Sequence, residues 1–182
     1  PWGGGSGGKG GVLEGYDIQN PSPTPRHTYD GICYVPDTDE MYMMFGANWR
    51  IAAKGSDVTE EAKAEYAKDG DRTWVYSFEK RRWRVIEDSV KKLGFAPGFE
   101  SHLVHWPEGN KLLYFDAHGN NYAQFDLKTQ TWAKAQLANK PTILLWSTRS
   151  AWDSKRGLWI FRRGPQLCAF NPATATFEPI PD

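Results

Sequence analysis

Two of the four histidines have a spacing that could support metal chemistry. His102 and His105 are three residues apart, within an apolar stretch that has the pattern of a β-strand. On a strand, an offset of three places two side chains on opposite faces, so the pair is not suited to a shared metal ion. The sequence contains neither a Ser/His/Asp elbow nor a Cys/His zinc spacing. We therefore predict no metal, no cofactor and no catalytic residue, and favour a binding role over an enzymatic one.

His118 is the histidine that we interpret as a ligand contact. It lies in the short polar segment Asp116–Asn121, and Asp116 could orient its imidazole. A second candidate is the pair Trp49 and Arg50, an aromatic ring beside a guanidinium at the root of a long insertion. This pair could stack on a sugar ring or a partner side chain, and could equally pack beneath the insertion.

Arg149 is the third candidate for ligand binding. It opens a predicted strand near the centre of the fold and, together with Arg26, Arg162 and Arg163, could meet an acidic ligand. The chain as a whole has no excess of positive charge, because its 22 Lys and Arg residues balance its 22 Asp and Glu residues. We therefore expect no nucleic-acid partner. No apolar stretch approaches the length of a membrane span.

A repeated hairpin must position these candidates. An aromatic residue at the end of one strand is followed seven residues later by Trp or Phe on the next strand, with a polar turn between them. The three copies begin at Tyr76, Phe125 and Phe170, about 45 to 49 residues apart. A second hairpin precedes each copy, and its three copies align without a gap at Tyr34, His105 and Ala151. Repeats of this length are typical of stacked units.

Each repeat has the pattern of four short strands, of which the second is nearly all apolar, as in a strand covered on both faces. The predicted strands are Gly31–Val35, Met41–Phe45, Thr73–Phe78, Arg82–Ile86, His102–Trp106, Leu112–Phe115, Tyr122–Phe125, Thr131–Ala135, Arg149–Trp152, Leu158–Phe161, Leu167–Phe170 and Thr176–Pro179. Buried inner strands with amphipathic outer ones favour blades of a β-propeller, which stack face to face around an axis.

The aromatic hairpin, Pro25-Arg26-His27 and Phe45-Gly46-Ala47 resemble the Kelch repeat. Over roughly residues 25–182 the sequence is similar to Kelch-type propellers, the family that includes galactose-oxidase-like proteins. The resemblance implies an all-β propeller of four-stranded antiparallel Kelch-like blades, three in this chain and part of a larger ring. The second and third repeats depart from the family pattern, with Asp116-Ala117 and Arg162-Arg163 at the position of its glycine pair.

We predict a Gly/Pro-rich linker over residues 1–24, blade 1 over 25–100, blade 2 over 101–147 and blade 3 over 148–182. Blade 1 contains a predicted helix over 57–70, which Asp57 can cap and Gly70 can end. Since closed propellers have about four to eight blades, we expect either that this sequence is part of a longer chain or that another chain or copy completes the ring. Cys33 and Cys168 are interpreted as two buried thiols.

The predicted loops differ sharply in length between the two ends of the blades. The long ones, residues 46–72, 87–101, 117–121 and 136–147, share one end, and long loops on a rigid scaffold commonly carry binding sites. We therefore expect a binding or scaffold module that recognises a protein or a glycan at this end. One alternative is part of a galactose-oxidase-like or sugar-isomerase-like enzyme, which requires titratable groups converging at the axis. Another is a structural subunit of a large assembly.

Overall fold

The computed structural model describes residues 22–23, 27–44, 46, 72–95 and 100–181. Twelve strands in these residues form three four-stranded antiparallel sheets, and each sheet follows the order of the chain. The first sheet contains β1 (Ile32–Val35), β2 (Glu40–Met44), β3 (Thr73–Ser77) and β4 (Arg82–Ile86). The second contains β5 (His102–Trp106), β6 (Lys111–Phe115), β7 (Tyr122–Asp126) and β8 (Thr131–Lys134). The third contains β9 (Arg149–Asp153), β10 (Leu158–Arg163), β11 (Gln166–Asn171) and β12 (Thr176–Ile180).

All twelve predicted strands are confirmed, and their bounds differ from the prediction by at most two residues. Two short 3-10 helices that the sequence did not predict follow β1 and β4, at Pro36–Thr38 and Val90–Leu93. The predicted helix over residues 57–70 lies outside the described residues. No helix in the described part of the chain combines the length and apolar character that crossing a lipid bilayer demands.

The repeated aromatic hairpin joins the third and fourth strands of every sheet. Its two aromatic residues stand directly opposite each other in all three copies, at Tyr76 and Trp83, at Phe125 and Trp132, and at Phe170 and Phe177. Directly opposed aromatic residues on one face of a strand pair stabilise it through ring contact. The ring centroids are 5.2, 5.1 and 4.7 Å apart, respectively.

The other predicted hairpin is misaligned by one residue in the third repeat. In the second sheet, His105 stands opposite Leu112. In the third sheet, the corresponding pair is Trp152 and Trp159, although the alignment had matched Ala151 with His105. Since strand side chains alternate between faces, the shift moves each residue of the copy to the other side of the sheet. Ala151 is exposed as a result, whereas Trp159 is fully buried in the core.

The three sheets stack in chain order and bury two apolar cores. The core between the first and second sheets includes Tyr42, Met44, Val75, Leu112, Tyr114 and Phe125. The core between the second and third sheets includes Leu113, Phe115, Tyr122, Trp159, Phe161 and Phe170. The second sheet is therefore covered on both faces. This explains why Leu112, Leu113, Tyr114 and Phe115, which are consecutive on β6, are all fully buried.

The first strands of the three sheets meet at one edge of the stack. The amide of Leu103 on β5 donates to the carbonyl oxygen of Asp30, just before β1, at 2.8 Å. The amide of Ser150 on β9 donates to a carboxylate oxygen of Asp30 at 3.0 Å. Sheets stacked face to face, with their first strands gathered together, are compatible with propeller-like blades.

Candidate ligand-binding face

We call the end of the sheets at which β1, β5 and β9 begin the loop end. The loop between β6 and β7 (residues 116–121) and the link between the second and third sheets (residues 135–148) both lie there, because each follows a strand that runs toward this end. The two segments carry His118, Leu144 and Trp146, and Arg149 follows directly.

Trp146 projects from a four-residue turn, Leu145–Thr148. The amide of Thr148 donates to the carbonyl oxygen of Leu145 at 3.1 Å and closes the turn. Ser147 adopts a positive φ of 58°, which is uncommon for a residue with a Cβ and requires support from its surroundings. Trp146 keeps 36% of its surface exposed at the second position of this turn.

Glu100, two residues before β5, and His102, the first residue of β5, provide that support. A carboxylate oxygen of Glu100 accepts the amide of Ser147 at 2.6 Å. The carbonyl oxygen of Leu145 accepts the hydroxyl of Thr148 at 2.7 Å and lies 3.2 Å from Nε2 of the buried His102. These contacts fix the backbone on both sides of Trp146, so that its indole is presented by a rigid turn.

The other ring nitrogen of His102 continues the same network. Nδ1 of His102 lies 3.2 Å from a carboxylate oxygen of Asp30, which also accepts the amide and the hydroxyl of Ser150 at 3.0 Å each. Burial alone would raise the pKa of Asp30, but the hydrogen bonds and charge of His102, together with the bonds from Ser150, outweigh it and lower that pKa. The network joins residues of the first, second and third sheets, so its main role is to hold the three sheets together.

The loop that carries His118 is equally well fixed. One oxygen of the Asp116 carboxylate accepts the amide of Asn120 at 2.8 Å, and the other accepts the side-chain amide of Asn121 at 2.6 Å. Gly119 has a φ of +69°, and a Cβ there would lie 2.5 Å from Cγ of Pro141 in the link between sheets. Only glycine permits this close packing. In the described contacts Asp116 orders the loop backbone, and it is not shown to orient the His118 ring as predicted.

His118 and Trp146 meet as an exposed stacked pair. Their ring centroids are 5.9 Å apart and their planes differ by 18°. Leu144, two residues before Trp146, keeps 42% of its surface exposed. We call His118, Leu144 and Trp146 together the aromatic platform.

Arg149 adds positive charge directly after the turn that presents Trp146. It stands opposite Arg162 across β9 and β10, and both side chains are exposed. The guanidinium of Arg149 donates to the carbonyl oxygen of Thr148 at 3.1 Å, and that of Arg162 donates to the carbonyl oxygen of Gly164 at 3.0 Å. Two like charges directly opposite each other repel, so an anionic group placed near them would be favourable.

The structure places two of the four predicted contact residues, His118 and Arg149, at the loop end. Trp49 and Arg50 lie outside the described residues. Trp146 was missed, although Ile143-Leu144-Leu145-Trp146 is an unusually apolar run for a segment that contains no strand. This apolar run could have indicated the site, because half of it packs in the core while Leu144 and Trp146 are exposed.

The two strand histidines point to opposite faces of the second sheet, as predicted. His102 contacts Phe161 of the third sheet, with ring centroids 5.2 Å apart. His105 stands opposite Leu112, which packs toward the first sheet, and burial lowers the pKa of its imidazole despite Asp37 and Glu108 nearby. Among the described residues, no three His, Cys, Asp or Glu side chains come together as a metal site would require.

No protein-family model and no curated protein matches the chain. Among solved structures, the crystal structure of TolB from Acinetobacter baumannii matches with a TM-score of 0.47 and 10% sequence identity. The match covers 86% of this chain and 33% of that chain, so the present chain spans about a third of the length of TolB.

Proposed function

We propose that this chain is a binding module, and that a protein partner docks on the aromatic platform at the loop end. The stacked pair of His118 and Trp146, presented by a turn that Glu100 and His102 fix, carries this proposal. A side chain that is already ordered loses little conformational freedom when a partner binds, so more of the contact energy appears as affinity.

The types of residue on the platform favour a protein partner over a glycan. Trp and Arg are among the residues most enriched at the energetic centres of protein interfaces. Leu144 is exposed beside Trp146 and offers no hydrogen bond, whereas a glycan site would use polar groups at that place. Arg149 follows the turn that presents Trp146 and supplies an exposed cation at the loop end. The partner is therefore a segment with an apolar or aromatic side chain next to a carboxylate.

Two more specific points, the type of blade and a second pair of contact residues, belong to the same proposal. The three sheets are blades of the Kelch type, and Trp49 and Arg50 contribute to the same binding face as His118. The resemblance of the aromatic hairpin to the Kelch repeat and the length of residues 46–72 support these two points. In this account the protein acts through binding, without a cofactor.

A peptide library displayed on phage tests the proposal, because it samples many candidate partner segments at once. Selections are run in parallel on the wild type, on Trp146→Ala and on Phe78→Ala. Phe78 is a suitable control because it is 45% exposed in the turn after β3, at the opposite end of the sheets. We expect peptides with an acidic residue beside an aromatic or aliphatic one to be enriched on the wild type and on Phe78→Ala, and lost on Trp146→Ala.

Two results would overturn this function. One is enrichment of the same peptides on all three proteins, which would place the binding surface elsewhere. The other is a combined result, in which no peptide is enriched and the wild type binds to an array of immobilised glycans. This glycan binding would have to be lost in Trp146→Ala. The second result would replace the protein partner with a carbohydrate at the same face.

A further inference from the structure

Two arginines of the third sheet stand side by side without a carboxylate partner among the described residues. Arg149, the first residue of β9, is directly opposite Arg162 on β10. The Cβ atoms of directly opposed strand residues are about 4.5–5.5 Å apart, and their side chains leave the same face of the sheet. Both residues are exposed, and within the described part of the chain neither forms an ion pair. We call Arg149 and Arg162 the arginine pair.

Both guanidiniums are held toward the loop end of the sheet. Nη1 of Arg149 donates to the carbonyl oxygen of Thr148, just before β9, at 3.1 Å. Nε of Arg162 donates to the carbonyl oxygen of Gly164, in the turn after β10, at 3.0 Å. Since β9 begins and β10 ends at the loop end, the two bonds draw the guanidiniums in the same direction. A guanidinium has five N–H donors, so in the described contacts each keeps four for a ligand.

The arginine pair lies on the outer face of the third sheet. Phe161, the residue before Arg162, packs in the core toward the second sheet, so Arg162 points the other way. The same row of the face continues across the sheet with Leu167 and Ile180, which are apolar and only partly buried. In the next row the acidic residue is Glu178, which lies on β12, two strands or about 10 Å from β10. The two cations therefore stand apart from that carboxylate.

The repeats show that a cation is not required for folding at this position. With the register of the third repeat corrected, Met44 and Phe115 are the residues of the first and second sheets that correspond to Arg162. Both are buried in the cores between sheets. The third sheet exposes an arginine where the other two bury an apolar side chain, and it places that arginine opposite another. Like charges directly opposite each other destabilise a strand pair, so a role in folding does not explain the two arginines.

We propose that the arginine pair is a binding site for a phosphate group, either a phosphate monoester or inorganic phosphate. A phosphate monoester carries about −1.5 to −2 charges at pH 7 and has three acceptor oxygens, which two guanidiniums can share. A carboxylate has one charge and two oxygens, which a single guanidinium satisfies. This site goes beyond the contact of a protein partner with the aromatic platform and does not depend on it.

Titration of the full chain with phenyl phosphate and with benzoate tests the site, because the two probes share a ring and differ in the anionic group. Nuclear magnetic resonance of the arginine Nε–Hε groups follows binding at about pH 7 and constant ionic strength. We expect the signals of Arg149 and Arg162 to shift most, and phenyl phosphate to bind at least about tenfold more tightly than benzoate. Equal affinities for the two probes would overturn the proposal. So would shifts spread evenly over all arginines, which indicate only a general attraction of anions.

Three variants separate a shared phosphate site from surface charge. Arg162→Gln should weaken binding of phenyl phosphate at least about tenfold, because it removes charged hydrogen-bond donors. Arg162→Lys keeps the charge and loses the planar set of donors, so it should also bind several-fold more weakly. Arg82→Gln is the matched control, since Arg82 is an exposed strand arginine at the opposite end of the sheets, and it should bind as the wild type does. An Arg162→Lys variant with the affinity of the wild type would overturn the proposal.

Two further probes identify the source of the phosphate group. A short phosphoserine peptide and inorganic phosphate are titrated into the wild type under the same conditions. Tighter binding of the peptide would assign the site to a phosphorylated protein partner, and tighter binding of inorganic phosphate would assign it to a small anion. Either result upholds the site, whereas failure of phenyl phosphate, the peptide and inorganic phosphate alike to shift the signals of Arg149 and Arg162 would overturn it.

Discussion

Nδ1 of His102 and a carboxylate oxygen of Asp30 lie 3.2 Å apart, across the boundary between the first and second sheets. The same carboxylate accepts two hydrogen bonds from Ser150, so one side chain connects all three sheets at the edge where their first strands meet. The network also supports the turn that presents Trp146, because the other nitrogen of His102 lies 3.2 Å from the carbonyl oxygen of Leu145. Joining of the sheets and presentation of the platform therefore depend on shared residues.

The Asp30 carboxylate makes the joined sheets sensitive to acid. Its pKa is lowered in the folded state, so its contribution to stability is complete above the ordinary pKa of Asp, near about 3.9, and is lost as the pH falls through the lower folded-state value. Asp30→Asn should lower the free energy of unfolding at pH 7 by about 1–3 kcal/mol, the usual effect of weakening a hydrogen-bonded charge. Urea unfolding at a series of pH values should show the difference between the two proteins shrinking in acid. A difference that is the same at every pH would contradict this role.

Asn139 is expected to hold the second and third sheets together through paired hydrogen bonds. Its side-chain nitrogen donates to the carbonyl oxygen of Phe177 at 2.7 Å, and its side-chain oxygen accepts the amide of the same residue at 2.6 Å. Asn139→Ala removes both bonds and should lower the free energy of unfolding by about 1–3 kcal/mol. Asn139→Asp keeps the acceptor, so the amide hydrogen of Phe177 should exchange faster in the Ala variant than in the Asp variant. Equal exchange rates would show that the oxygen of Asn139 does not protect this amide.

Gly119 should be intolerant of a side chain for two reasons. Gly119→Ala adds a Cβ at a positive φ, which costs roughly 1–2 kcal/mol, and the new atom would press on Pro141. Gly164→Ala is the matched control, because Gly164 has a φ of +58° and nothing within 4 Å of an added Cβ. Urea unfolding should therefore show a greater loss of stability at position 119 than at position 164. Equal losses would mean that the loop carrying His118 is not packed tightly on the link between sheets.

Much of the fold could be predicted from the sequence because its repeats are local patterns. Strand positions follow from short apolar runs separated by polar turns, and the spacing from Phe125 to Trp132 specifies a hairpin register directly. The register of β9 was harder, because its turn begins with Ser154, where the other two repeats have a proline. The Asp153 side chain accepts the amides of Lys155 and Arg156 and so starts the turn one residue later than the alignment implied.

The candidate site was less predictable because it depends on contacts between distant segments. His118 could be found as a polar residue in a long-loop position, but its stacking on Trp146 depends on how two loops pack. Glu100 supports Ser147 across 47 residues of sequence, and no local pattern indicates that pairing. Trp146 could not be distinguished by sequence from its neighbours in an apolar run, because only some residues of that run enter the core.

Arg149 is expected to set the charge preference of the platform. Arg149→Glu should weaken binding of an acidic peptide selected on the wild type, chiefly by slowing association, because charges at the rim of an interface steer the encounter. Lys128→Glu is the control, since it makes the same change of charge on an exposed residue at the opposite end of the sheets. Surface plasmon resonance at low and moderate salt should show a loss at Arg149 that diminishes as salt increases. Equal effects of the two substitutions would indicate a general charge effect without a local contact.

The proposed function rests most directly on the indole of Trp146. The decisive measurement is the dissociation constant of the strongest peptide selected on the wild type, determined by isothermal titration calorimetry for the wild type, Trp146→Ala and Phe78→Ala. We predict that Trp146→Ala binds at least about tenfold more weakly, a loss of about 1.4 kcal/mol, while Phe78→Ala binds as the wild type does. Binding by Trp146→Ala with the affinity of the wild type would contradict the account, since the platform would then not be the surface that the partner contacts.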